Sequence, residues 1–86
     1  MVDSAKDSSR ENVEITCVIH HESARALLIS DDGYEDRAVW LPRSQISEIN
    51  ESGRTSRVVR RNGQMGVGRI VFITIPGWLA RQQGLV

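Results

Sequence analysis

Five arginines between residues 54 and 69 are the side chains of this sequence with the clearest chemical potential. They are Arg54, Arg57, Arg60, Arg61 and Arg69, and no Asp or Glu follows Glu51. A guanidinium group presents a planar fork of donors that matches the oxygens of a phosphate. A basic hairpin built from these residues would fit the backbone of DNA or RNA, with Trp40 or Tyr34 available to stack on a base.

The charges are segregated along the chain. Residues 1–53 contain 11 acids and five bases, a net charge of −6, whereas residues 54–86 contain six arginines and no acid, a net charge of +6. Such asymmetry hints at contact with a polyanion. It is equally explained by acidic and basic strands that lie side by side and neutralise each other, with Glu14, Glu22 and Glu35 as the expected partners.

A second set of residues points to a protein partner instead. The spacing of an acidic turn is not that of a calcium-binding loop. The turn could instead imitate a run of phosphates and occupy a basic groove of another protein. Its carboxylates are Asp31, Asp32, Glu35 and Asp36. The glycine-rich segment 62–68 is predicted to form a hairpin tip that exposes Met65 and Val67, two adaptable apolar contacts.

Catalytic and metal-binding patterns are weak in this sequence. The cluster His20–Glu22 has metal-ligating residue types, but neighbours in a strand point to opposite faces. Cys17 lies on the apolar side of a predicted strand and is expected to be a buried small hydrophobe. Ser44 lacks the flanking glycines of a hydrolase nucleophile, and segment 63–68 lacks the Gly-Lys-Ser/Thr ending of a phosphate-binding loop. We therefore expect no enzymatic activity, no metal and no cofactor.

The length of 86 residues allows one domain with a small core, and a single Cys excludes an intrachain disulfide. No apolar run approaches the roughly 18 residues of a membrane helix, and the polar start is unlike a signal peptide. A cytoplasmic protein without a membrane partner is expected. Residues 1–11 are predicted to be a disordered acidic tail, and residues 12–86 a single β-rich domain.

Alternation and turn residues predict five strands. They are Val13–Ile19, Ala24–Ser30, Ala38–Leu41, Thr55–Arg61 and Arg69–Ile75. A helical turn is expected over Arg43–Ile49 with Ser44 as its N-cap, and a closing helix over Pro76–Gln83 that stops at Gly84. The predicted fold is mostly β, a small bent antiparallel sheet or a five-stranded SH3-like or OB-like barrel with these two helical pieces.

Both tryptophans are expected to pack inside this fold. Trp40 is flanked by Val39 and Leu41 in a strand, which favours a core position. Trp78 is expected to pack the closing helix onto the sheet. Gly33 ends the acidic turn's Asp-Asp-Gly sequence and is expected to reverse the chain with a positive φ.

Two segments resemble a known group of proteins. They are Trp-Leu-Pro-Arg-Ser-Gln-Ile at residues 40–46 and Ile-Pro-Gly-Trp-Leu-Ala-Arg-Gln-Gln-Gly-Leu at residues 75–85. The chain is similar here to small phage and prophage proteins, largely of unknown function. It differs from them in Arg43, where Lys is usual, in Gly77, where an acid is common, and in a longer basic segment at 51–69. The resemblance implies an origin in phage or another mobile element and no enzymatic activity.

Two functions from different classes are thus predicted. The first is a nucleic-acid-binding accessory protein that uses the five arginines. The second is a module that docks on a host or phage protein through the acidic turn and the glycine-rich tip. Arginines that share one open face would favour the first, and arginines spread among acids would weaken it. The opposite charges of the two halves would also allow a head-to-tail homodimer.

Overall fold

The computed structural model describes residues 11–86, so the predicted tail lies outside the described residues except for Glu11. Five antiparallel strands form one sheet in the order β3-β2-β1-β5-β4. The strands are β1 (Asn12–Glu22), β2 (Ala26–Ser30), β3 (Val39–Pro42), β4 (Glu48–Val59) and β5 (Met65–Pro76). Helix α1 (Gly77–Gln82) and two 3₁₀ turns, Glu35–Arg37 and Arg43–Gln45, complete the fold. The predicted fold class, a mostly β antiparallel sheet with a short C-terminal helix, is confirmed.

The main core lies on the side of the sheet that α1 covers, called here the helix face. Strand β1 pairs with β5 so that Ile15 lies opposite Ile73 and Cys17 opposite Val71. Successive side chains of a strand alternate between faces, so these odd-numbered residues all point toward the helix. The buried cluster consists of Ile15, Cys17, Ile19, Leu27, Ile29, Leu41, Val71, Ile73, Ile75, Leu79 and Ala80. This core contains aliphatic side chains and one thiol, and no aromatic ring.

A smaller buried group lies on the opposite face of the sheet, called here the far face. Val18, Leu28 and Val58 are buried there, outside the main cluster. The connection between β2 and β3 lies against β4 near this group, because the Val59 N–H donates to the Gly33 carbonyl at 2.8 Å. A Cβ on Gly33 would lie 2.9 Å from the Arg57 carbonyl oxygen, and its φ is +84°. Gly33 therefore reverses the chain as predicted, and its lack of a side chain lets the two segments approach.

Two irregularities bend the sheet. The register of β1 with β2 shifts between Ile19 and His21, and that of β4 with β5 shifts between Glu51 and Arg54. Gly53 lies within the second bulge with φ +79°. Bulges increase local twist and bend the strand that carries them. The sheet is accordingly bent, and the bridge between Tyr34 and Val59 brings the β2–β3 connection to the outer edge of β4.

Three predicted elements differ from the structure. Strand β4 begins at Glu48 rather than Thr55 and ends at Val59 rather than Arg61. Strand β5 begins at Met65, so most of the predicted glycine-rich tip belongs to a strand. The predicted turn over Arg43–Ile49 is a 3₁₀ helix of three residues with no side-chain cap, so Ser44 is not an N-cap. The missed half of β4 has no buried side chain, and Ile49 is its one apolar residue, because this segment lies at an edge of the sheet.

The C-terminal helix matches its prediction closely. Pro76, with φ −60°, immediately precedes α1, and the Gly77 N–H donates to the Glu11 carbonyl at 2.6 Å. Gly84 has φ +72°. The Leu85 N–H donates to the Ala80 carbonyl at 2.8 Å, and Leu85 packs against the main core. This is the hydrogen bond and apolar contact that commonly close a helix at a left-handed glycine.

Candidate functional site

The outer part of the β4–β5 hairpin is a two-stranded ribbon. Strand β1 pairs with β5 from Asn12 opposite Pro76 to Val18 opposite Ile70, and no further. Beyond Ile70, β5 pairs with β4 alone, from Thr55 opposite Arg69 to Val59 opposite Met65. The name ribbon is used below for residues 55–59 and 65–69. It closes at residues 60–64, where the Arg60 N–H donates to the Gln64 carbonyl at 2.8 Å.

One face of the ribbon exposes apolar side chains. Met65 is 60% exposed and Val67 is 67% exposed. Val67 lies directly opposite Arg57 in the ladder, so these side chains share the helix face beyond the end of the main core. Arg57, Met65, Gly66 and Val67 line a shallow depression of about 300 Å³. The predicted exposure of Met65 and Val67 is confirmed, although both lie in a strand and not in a loop.

Arg69 is held by carboxylates at the base of the ribbon. Its Nη1 donates to Glu22 at 3.1 Å and its Nε to Glu51 at 3.2 Å. Glu22 also lies 3.5 Å from Arg43. The hydrogen bond from Arg69 is the main cause of a lowered pKa for Glu22, and Glu22 in turn raises the pKa of Arg69. This chain of charges joins β1, β4, β5 and the 3₁₀ helix after β3.

Arg61 is held by the acidic turn. Its backbone N–H donates to Glu35 Oε1 at 2.7 Å, and its side chain lies 4.0 Å from Asp36. Glu35 Oε2 is 2.9 Å from His21 Nε2. The hydrogen bond from the Arg61 backbone is the main cause of a lowered pKa for Glu35. The acidic turn thus binds the closing residues of the hairpin through Arg61.

The other three arginines have no acidic partner within residues 11–86. Arg57 points to the helix face, and Arg54, three residues earlier in the strand, points to the far face. Arg60 lies across Gly66, since a Cβ on Gly66 would be 2.6 Å from its Nη2. Arg57 and Arg61 were expected on one side of a strand, but β4 ends at Val59 and Arg61 lies beyond it. The five arginines are therefore divided between two faces, and two of them, Arg61 and Arg69, contact acids.

The rest of the acidic turn is held by contacts within its own part of the fold. Asp32 accepts from the Tyr34 N–H at 2.9 Å and pairs with Arg37 at 2.8 Å, and the Tyr34 hydrogen bond is the main cause of its lowered pKa. The Arg37 guanidinium lies 5.1 Å from the Tyr34 ring centre. The buried Ser30 hydroxyl accepts from the Gly33 N–H at 2.9 Å and lies 2.7 Å from His20 Nε2. Asp31 is the one acid of the turn without a described ion pair.

Both tryptophans are at the surface, which corrects the expectation that they pack in the core. Trp40 is 52% exposed on the far face, opposite Leu28, and Trp78 is 44% exposed on α1. Leu79 and Ala80, and not Trp78, supply the buried side chains of α1. Neither ring lies on the ribbon, so the predicted pairing of a stacking aromatic with the arginines is not formed by Trp40.

Cys17 is buried as predicted, and burial raises the pKa of its thiol to about 12. Desolvation is likewise the main cause of a lowered pKa for His20. Within the described part of the chain, no three His, Cys, Asp or Glu side chains are placed to hold a metal ion. No helix between residues 11 and 86 has the length and apolar character needed to cross a membrane.

Comparison with protein families, curated proteins and solved structures gives no match. The residues that sequence reasoning missed are Glu51 and Arg43, which complete the ion-pair chain around Arg69. The segregation of charge predicted pairing of the arginines with Glu14, Glu22 and Glu35. Glu22 does pair with Arg69. Glu35 contacts an arginine only through the Arg61 backbone, and Glu14 has no arginine partner among residues 11–86. Which arginine meets which acid depends on strand register, and β4 was not assigned before Thr55.

Proposed function

We propose that this chain is a non-enzymatic interaction module that binds a partner protein through the ribbon. The observation that carries the proposal is the pair Met65 and Val67, exposed side by side on one face and flanked by Arg57. Met and Arg are enriched at protein interfaces, and Met adapts its shape to a partner. A continuous phosphate-binding face would need the arginines on one side of the ribbon, but they are divided between its two faces.

The surface around this pair defines the chemistry of the partner. No acid follows Glu51 in the sequence, so the ribbon favours a partner with apolar side chains bordered by carboxylates. The resemblance to phage proteins makes a host or phage protein of the cytoplasm the proposed partner. We assign the acidic turn, the other predicted docking surface, to positioning the hairpin, because Glu35 and Asp36 engage Arg61.

Differential capture from a host-cell lysate tests this proposal. Val67→Asp places a carboxylate on the exposed apolar face and should abolish capture of a specific protein that the wild-type chain retains. Val86→Asp is a matched control, because Val86 is also 67% exposed but lies at the C-terminus. The captured protein is then purified and its binding to both variants measured directly. Equal binding by the wild type and Val67→Asp would contradict the proposal.

Nucleic-acid binding is a second candidate, supported by the three arginines without an acidic partner among residues 11–86. Anisotropy of labelled single- and double-stranded oligonucleotides tests it at low and near-physiological salt. Binding through phosphates should weaken steeply as salt rises, and it should disappear when Arg54, Arg57 and Arg60 are replaced by Ala. Arg81→Ala, on the C-terminal helix, is the matched control. Absence of binding at low salt would dismiss this candidate.

A further inference from the structure

From Met65 to Gly68, the β5 side of the ribbon is a strand edge with no neighbouring strand among residues 11–86. In an antiparallel ladder, two residues opposite each other either bond to one another or both direct their N–H and C=O groups away. The Val59 N–H bonds outward to Gly33, so the pair Val59 and Met65 is of the second kind. By alternation, Val67 also directs its N–H and C=O groups away from β4. No hydrogen bond to the Met65 or Val67 backbone is formed on that side by the part of the chain described, since β1 stops pairing at Ile70.

The two edges of the hairpin differ in how well they are protected from pairing with another chain. The outer edge of β4 carries a bulge at Gly53 and four charged residues, and Gly33 covers its end at Val59. Natural sheets use such bulges and charges to prevent pairing with other chains. The β5 edge from Met65 to Gly68 has no charge, no Pro and no bulge. It is the less protected of the two edges.

We propose that this β5 edge receives an extended segment of the partner protein as an added strand, an inference that rests on the proposed function. The added strand would bond to the N–H and C=O groups of Met65 and Val67. It would end near Gly68, because the Ile19 carbonyl oxygen occupies the space there. That oxygen lies 2.8 Å from the position that a Cβ on Gly68 would take. Main-chain hydrogen bonds provide affinity in this mode, and alternate side chains provide specificity.

The two faces of the ribbon define which segment fits. On the helix face the side chains of the added strand would lie beside Met65 and Val67, which favours apolar residues there. On the far face they would lie beside Gly66 and the guanidinium of Arg60, which favours Asp or Glu. The matching sequence alternates apolar and acidic residues. A second copy of this chain fits less well, because two acid-free ribbons would place like charges together.

Nuclear magnetic resonance of the labelled full chain with the peptide acetyl-Val-Glu-Val-Glu-Val-Glu-Val-amide tests the proposal. The peptide should shift the Met65 and Val67 amide signals saturably. It should also slow their hydrogen exchange about tenfold when the peptide is at about ten times its Kd. The same peptide with Lys in place of Glu should bind more weakly. Equal shifts with both peptides would overturn the acidic specificity, and no shift at Met65 or Val67 at millimolar peptide would overturn the added strand.

Proline variants separate this mode from binding through side chains alone. Val67→Pro removes an N–H that points away from β4, so it should abolish peptide binding while the hairpin ladder is kept. Val67→Ala retains that N–H and should still bind. Thr55→Pro alters the opposite edge and should also bind. Unchanged binding by Val67→Pro would overturn the added strand, whereas the proposed function itself fails only if Val67→Asp binds the partner as the wild type does.

Discussion

Gly68 is the residue on which the junction between the ribbon and the rest of the sheet depends. A Cβ at this position would lie 2.8 Å from the Ile19 carbonyl oxygen and 3.1 Å from methyl groups of Val18 and Val58. Gly68→Ala should therefore lower the free energy of unfolding by about 1–3 kcal/mol, the usual cost of overpacking. Urea denaturation measures this change.

Gly66 supplies the matched control for that measurement. Its Cβ would meet the end of the Arg60 side chain, which is flexible and can move aside. Ala is also a slightly better strand residue than Gly, so Gly66→Ala should leave stability within about 0.5 kcal/mol of the wild type. If Gly68→Ala proved as stable as Gly66→Ala, the close approach of β1 to Gly68 would be wrong.

Glu22 makes stability depend on pH. Its pKa in the folded chain lies below the ordinary value of 4.5, chiefly because Arg69 donates a hydrogen bond to it. A folded-state pKa below the unfolded value stabilises the fold above the unfolded pKa, and this contribution is lost as pH falls through the folded pKa. The free energy of unfolding should fall from about pH 5 to about pH 3, and it should fall less in Glu22→Gln. Glu14→Gln is the matched control, because Glu14 has no arginine partner among residues 11–86.

At the scale of elements, one buried hydroxyl helps to hold the β2–β3 connection in place. Ser30 is 2% exposed and contacts both His20 and the Gly33 N–H. Ser30→Ala would leave these two polar groups without that partner and should cost about 1–3 kcal/mol in urea denaturation. The amide signals of residues 31–37 should shift, and those of α1 should not. Ser56→Ala removes a hydroxyl of a half-buried residue whose hydrogen bond, to the Arg57 carbonyl, is exposed, and it should be nearly neutral. Equal stability of the two variants would contradict a structural role for Ser30.

The elements with a buried face were predictable from the sequence, and the exposed elements were not. Alternation in β1 and β5 follows from one face packed on the core, and α1 follows from Pro76 and Gly84. Strand β4 from Glu48 to Gly53 has no buried side chain and therefore no periodic signal. Trp40 was misplaced for a related reason, since its apolar neighbours indicated burial but β3 is an edge strand.

The candidate site was predictable in composition but not in geometry. Met65 and Val67 were recognised as exposed contacts because glycines surround them. The division of the five arginines between two faces depends on where β4 ends, and the chain of charges at Arg69 depends on register. Neither is encoded in a local pattern, because both arise from pairing between distant segments.

At the scale of the whole molecule, the acidic and basic parts of the sequence form ion pairs with each other. Glu22 and Glu51 from the acidic part meet Arg69 from the basic part, and Glu35 and Asp36 meet Arg61. This arrangement uses within one chain the charge complementarity that a head-to-tail homodimer would need. What remains outside it is the part of the ribbon beyond Arg69, with exposed apolar side chains and a β5 edge that has no neighbouring strand among residues 11–86.

Such internal pairing makes the stability of the molecule sensitive to salt. Each pair is exposed and worth at most about 1 kcal/mol, and salt screens exposed pairs. Raising sodium chloride from about 0.01 M to about 0.5 M should therefore lower the free energy of unfolding by about 1 kcal/mol, or the Tm by a few degrees. Arg69→Gln removes two of these pairs at once, so its salt dependence should be visibly smaller, whereas Arg81→Gln should behave as the wild type. A wild-type stability that stays constant or rises over this range would mean that the two parts are held together by the aliphatic core alone.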